Sequence, residues 1–238
     1  MKRKSVILSL MLVGLIVVLV GCTTGVRGTG ELVSRDFEVE DFNALDIRGG
    51  YQVTWRESDS VSVRVEMQEN LFEFLQVSVA DNTLSIDTTR NIFRPRNRTP
   101  RIYIYTPYLE GINFHGAVNA QNWDTIYGES FAIEGSGAIN VEIQLEVVTV
   151  EVDISGAGSL DLSGNAEVAN ITTSGAASVS ARTLQTRDTS IDLSGAGEVD
   201  VAVSDYLNVE LFGAGVVRYT GSPTIERNIF GVGRLEQR

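Results

Sequence analysis

The chain has 238 residues and a formal net charge of −12, with 31 acidic groups against 19 basic ones, a balance that makes nucleic acid and bare anionic lipid poor partners. No lysine follows Lys4, so lysine-based Schiff-base or general-base chemistry is excluded.

The chain opens with Lys2, Arg3 and Lys4, then an apolar run from Val6 to Val20 interrupted only by Ser9 and Gly14, then Gly21 and Cys22. That run is too short to span a bilayer and ends in a small residue, which predicts a signal peptide over residues 1–21. The ending Leu19-Val20-Gly21-Cys22 resembles a bacterial lipobox, in which cleavage before the cysteine leaves a lipidated N-terminus. Cys22 is the only cysteine of the chain; an unpaired cysteine in an exported protein calls for an explanation, and lipid attachment supplies one. Acyl chains anchor by burying methylenes at about 0.8 kcal/mol each, so the expected partner at this end is the membrane. Without residues 1–21 the basic count falls from 19 to 16 and the net charge to −15.

Residues 22–30, rich in Gly and Thr, read as a flexible tether. Residues 31–110 read as extended segments: YQVTW, SVRVEM and RIYIYT alternate apolar and polar residues, and Ala80 to Thr83 is a turn candidate. Only Asn70 to Leu75 suggests a helical turn. This region is expected to cap the C-terminal half of the chain, because an unprotected end strand invites aggregation. Between Asp87 and Ile102 lie Arg90, Arg94, Arg96, Arg98 and Arg101 with Pro95 and Pro100, a loop by its prolines and charge density. Its arginines could pair bidentately with phosphate or uronate oxyanions, or fold back onto the protein's own acids. From Ile102 to Ala181 the chain has no arginine or lysine and many carboxylates, so the molecule is electrically lopsided.

Residues 111–238 repeat. Seven glycines, Gly116, Gly137, Gly156, Gly175, Gly195, Gly213 and Gly231, follow one another at intervals of 21, 19, 19, 20, 18 and 18. A small residue stands after each, and an apolar column four after (Ala120, Val141, Leu160, Val179, Val199, Val217, Leu235). A second apolar column stands four before, broken only by Arg227. Polar positions alternate with these. Period-two alternation within a period of about 19 means that each copy is one supersecondary unit that buries its inner face only when the next copy stacks on it. The expected fold class is all-β, a right-handed parallel β-helix of about seven coils, continuous with residues 31–110. Seven coils at the strand spacing of about 4.8 Å make a rod on the order of 30 Å. The glycine is expected at a corner where no Cβ fits. A leucine-rich repeat lacks its asparagine framework here, and the aspartates fall one residue away from the calcium-binding nonapeptide position.

The lipobox ending, the RGGYQVTW segment, the DNTLSI strand, the RIYIYTPYLEGINFHGA junction and the repeated SGAG coils together resemble a bacterial family, the putative auto-transporter adhesin with a head GIN domain, a domain of unknown function. The resemblance covers about Phe37 to Gly233. It implies a parallel β-helix architecture and an adhesin-like role, and it brings no catalytic residues with it.

Ser136, Ser155, Ser174 and Ser194 are expected to stack along one edge, continued by His115 at one end and by Phe212 and Phe230 at the other. They would either offer hydroxyls to a glycan or satisfy corner backbone groups. Glu134 is expected over Asp153, and Asp192 over Glu210, as outward acidic columns, screened by solvent or bridged by a divalent cation. The coils offer neither a cofactor motif nor a dedicated metal-ligand spacing, and His115 reads as structural. The leading expectation is therefore a lipid-anchored, exported, non-enzymatic module, at the outer membrane or cell surface or on the periplasmic face, that binds glycan or another envelope protein. A polysaccharide lyase or hydrolase on the same scaffold and a purely structural envelope component are the alternatives.

Overall fold

The computed structural model describes residues 25–93 and 98–238. Nearly all of it is strand, wound into a β-solenoid of about seven turns, with one helical turn at Glu69–Phe74 close to where the sequence suggests it. Each full coil is a single long bent strand. Asn140–Gly156, Ser159–Gly175, Ser178–Gly195 and Glu198–Gly213 lie in parallel, each hydrogen-bonded to the one before and the one after.

Two corners bend each coil. In Asn140–Gly156 the inward residues are Val141, Ile143, Leu145 and Val147, then Val150, Val152 and Ile154. The alternation slips by one at Val148–Thr149, and that slip is the first corner, where the chain turns from one sheet to the other. The second corner is the glycine. Gly116, Gly137, Gly156, Gly175, Gly195, Gly213 and Gly231 stack in register with φ between 108° and 128°, a region that only glycine occupies without strain. A Cβ there would stand 2.3–2.8 Å from the carbonyl oxygen of the glycine one coil back. That same oxygen accepts the N–H of the residue after the glycine, at 2.8–3.0 Å. The side chain is therefore excluded both by φ and by the bond that joins the coils.

The stack begins before the sequence period does. Gly49 pairs with Gly116, and Leu45 and Ile47 pair with Ile112 and Phe114. Ala44–Gly49 and Gln52–Glu57 thus form a coil against Gly111–Gly116 and Asn119–Ala120. On its other side lie Thr83–Thr88 and Arg101–Thr106, also parallel. Only beyond these does the sheet turn antiparallel, with Leu75–Ala80 on one face and Ser62–Gln68 then Leu32–Phe37 on the other. The chain thus lays down an inner coil, runs out to build the end, and returns at residue 111 to the exposed side of that first coil.

One core runs through the stack, from Phe42 to Val217, with Trp55, Phe114 and Phe131 as its largest fully buried side chains. The longest interval, between Gly116 and Gly137, accommodates Gln121–Thr125, which bulges out and is pinned. There Trp123 Nε1 donates to the Val53 carbonyl at 2.9 Å and its ring packs on Trp55 and Phe114.

Among the described residues, nothing covers the last coil. In Thr224–Gly231 and Arg234–Gln237 the inward columns continue as Ile225, Arg227, Ile229 and Leu235, all at least partly exposed. Arg218 ties this end together, reaching Glu198, Asp200 and Glu236, while Arg238 takes the other oxygen of Asp200. Asp200 is only 7 % exposed, with these two arginines lying against its carboxylate.

Candidate functional site

The predicted outward rows exist as rows. Arg48, His115, Ser136, Ser155, Ser174, Ser194, Phe212 and Phe230 stand in one register line, one residue per strand. Ser155 Oγ donates to the Gly135 carbonyl at 3.5 Å, the corner role open to such hydroxyls. Phe212 and Phe230 are stacked, centroids 5.0 Å apart and planes 7° apart, and both are exposed.

At the other end of the row the polar groups condense. His115 Nδ1 is 2.7 Å from Ser136 Oγ, and His115 Nε2 is 3.8 Å from Asp46 Oδ1. Both of those last atoms are buried without another partner. Arg48 holds Asp46 Oδ2 through Nε at 3.2 Å and Nη2 at 2.9 Å, and that carboxylate holds the guanidinium pKa above its ordinary value. The order serine, histidine, carboxylate is that of a nucleophile relay. Here, however, the carboxylate is already clamped by Arg48, and Ser136 stands on an outward sheet face.

The neighbouring row reads Asp46, Asn113, Glu134, Asp153, Thr172, Asp192, Glu210 and Asn228. Glu134 faces Asp153 and Asp192 faces Glu210 as register partners, with Thr172 separating the two pairs. With Glu151 and Asn170, the first pair lines a shallow hollow of about 270 Å³. Among the described residues no three His, Cys, Asp or Glu side chains are arranged to hold a metal ion.

The arginine loop is partly committed to the protein itself. Arg90 lies over the Phe74 ring at 5.5 Å, Arg98 donates to the Gly30 carbonyl and to Glu31, and Arg101 pairs with Glu66 at 3.1 Å. Exposed ion pairs of this kind contribute at most about 1 kcal/mol each. Arg94 and Arg96 lie outside the described residues, as does Cys22. The described part of the expected tether is docked rather than loose. Val26–Arg27 pairs with Ile92–Phe93, Val26 packs against the core, and Thr29 N–H donates to Asn70 Oδ1 at 2.9 Å.

A further concavity was not legible as a motif. It runs along the other corner, past Gly128, Val147, Ala166, Thr186 and Ser204, with a volume of about 510 Å³. Its cause is a change of side-chain volume down the columns. Leu145, Val147 and Val150 in one coil face Gly164, Ala166 and Ala169 in the next, and Leu184, Thr186 and Thr189 in the one after. The middle coil carries the smallest side chains along this line. Only a column-by-column reading of the second corner could have found it.

The fold has relatives among known proteins. The family model described as putative auto-transporter adhesin, head GIN domain, matches residues 41–223. No curated protein matches the chain. Among solved structures, a putative adhesin from Bacteroides fragilis is 26 % identical with a TM-score of 0.83, over 90 % of this chain and all of that one. A putative adhesin from Parabacteroides merdae (19 % identity, TM-score 0.70, 90 % and 99 % covered) shares the fold. So does a protein from Parabacteroides distasonis described as a putative lipid binding protein (18 %, 0.68, 90 % and 100 %).

Proposed function

The chain belongs to the auto-transporter adhesin, head GIN domain family, and on that footing we propose that it is a lipid-anchored, non-enzymatic envelope protein whose solenoid presents its outer surface to glycan or to another envelope protein. The observation that carries this reading is the division of the molecule. The core is filled along the stack as far as Val217, with inward side chains at or near zero exposure, while most of the polar groups stand outside in rows repeated coil by coil. A repeated row suits a repeated ligand. The family and the adhesin-like neighbours support the binding role, and the lipobox ending at Cys22 supports the anchor.

A hydrolase on the same scaffold is the second reading, favoured by the contacts of His115 with Ser136 in its own row and with Asp46 in the neighbouring one, and opposed by the Arg48 clamp on Asp46. One experiment separates the two. The protein is incubated with immobilised polysaccharides, with and without calcium, and scored for retention and for new reducing or unsaturated ends. Retention without product is the expected result. Product formation would favour the hydrolase, and neither retention nor product would remove glycan as the ligand. For the anchor, Cys22→Ala is expected to abolish labelling by a radioactive fatty acid and to release the protein from the membrane fraction; unchanged labelling would refute it.

A further inference from the structure

The groove past Gly128, Val147, Ala166, Thr186 and Ser204 has the chemistry of a polyol site. Five stacked strands border it, through Gly128, Val147, Ala166, Thr186 and Val203, so it extends over about 19 Å at the strand spacing. Its floor is made of small side chains, Val147, Ala166 and Thr186, with the Thr186 hydroxyl turned to Thr189 and to the Ala202 carbonyl. Along one side stand Glu146, Asn165 and Gln185, register partners on successive coils. Asn165 Nδ2 donates to both oxygens of Glu146 at 3.0 Å, which fixes the plane of the amide. Tyr127, 63 % exposed, continues this line as the register partner of Glu146. Val148, 45 % exposed, forms part of the rim.

A floor of small side chains with the apolar Val147 and Ala166 at its middle, an exposed ring in line with it, and planar amide and carboxylate groups repeated once per strand match a ligand with alternating apolar faces and hydroxyls. Hydroxyls donate and accept, as amides do, and sugar units along an extended chain repeat on about the scale of the strand spacing. Charge narrows the class. Glu146 and Glu167 face the groove against the single Arg187, and Arg187 is held by Asp205 at 3.1 Å. A polyanion is therefore disfavoured. We infer that the groove between Tyr127 and Ser204 binds an extended neutral polysaccharide, its axis along the solenoid. This inference rests on the binding-module reading above and assigns that reading a place and a ligand class.

The test uses the detergent-solubilised full chain and titration calorimetry with neutral hexasaccharides of glucose and mannose, with oligogalacturonate as the anionic comparison. Tyr127→Ala and Gln185→Ala change exposed side chains, and unchanged thermal unfolding would show that the fold is intact. The expected result is binding of a neutral hexasaccharide that weakens at least tenfold in the double variant. Equal binding by wild type and double variant would overturn the groove assignment while leaving a glycan-binding module in place. Preference for oligogalacturonate would overturn the ligand class. Binding of none of these sugars would overturn this inference, while retention on other immobilised polymers would decide separately whether the module reading stands.

Discussion

At the scale of single residues, the corner glycines leave no room for a side chain. A Cβ on Gly175 would lie 2.6 Å from the Gly156 carbonyl oxygen, at a φ of 111°. Gly175→Ala is therefore expected to cost about 3 kcal/mol or more, combining left-handed strain with displacement of an inter-coil hydrogen bond. Gly128→Ala, where a Cβ would meet nothing closer than 3.7 Å, should stay within about 0.5 kcal/mol; urea unfolding of the two variants checks the contrast. Arg227 makes the opposite point. It alone breaks the apolar column, and it does so on the terminal strand, where an inward-pointing charge discourages edge-to-edge pairing. Arg227→Val is expected to make the protein self-associate with rising concentration, read by light scattering, whereas a variant that stays monomeric would remove that role from the arginine.

Among elements, the outward rows set like charges one strand apart. Glu134 and Asp153 are register partners, and such pairs cost on the order of 0.2–1 kcal/mol. Glu134→Gln should therefore stabilise by that amount at low salt, and the gain should shrink in 1 M salt; a gain that salt leaves unchanged would point to something other than repulsion. Acid should act elsewhere. The Asp36 carboxyl is held below its ordinary value by the hydrogen bond from Arg64, and that of Asp205 by hydrogen bonds from Ser204 and Arg187. A lowered carboxylate contributes stability that is fully present above the unfolded aspartate value and is lost as pH falls through the folded one. Both pairs are exposed, so the effect is small. The gap in melting temperature between wild type and Asp36→Asn/Asp205→Asn should hold steady from neutral pH down to the ordinary aspartate range, then close below it.

For the molecule as a whole, the repeat from Gly116 onward was legible because each coil states the same apolar columns at nearly the same interval. The first coil was not, because Gly49 and Gly116 are 67 residues apart and no period survives such an insertion. A signal was present all the same. Leu45-Asp46-Ile47-Arg48-Gly49 and Ile112-Asn113-Phe114-His115-Gly116 share one pattern of apolar and polar positions before the glycine. The outward rows also followed from spacing, whereas the groove depends on the volumes of Gly164, Ala166 and Ala169 relative to the coils on either side, which is a property of the stack and not of any one segment. In a stack, stability is nearly a sum of neighbour terms, and among the described residues the coil after Gly213 has a neighbour on one side only. Its amides are expected to exchange with solvent before those of Ser159–Gly175, as hydrogen exchange with mass spectrometry would show.

The order in which the strands are laid down also bears on time. The coil at residues 44–57 is flanked on one side by residues 83–106 and on the other by residues 111–120, so its neighbours arrive long after it does. Closing those loops comes early and is costly in chain entropy, whereas every later coil needs a closure of only about 20 residues onto a surface already formed. For a chain that emerges N-terminus first, the junction is then the slow step, and the remaining turns add behind it like rungs on a started ladder. Chains interrupted after Gly175 should still fold at nearly the full-length rate, while shortening the segment between Glu57 and Thr83 should alter that rate most.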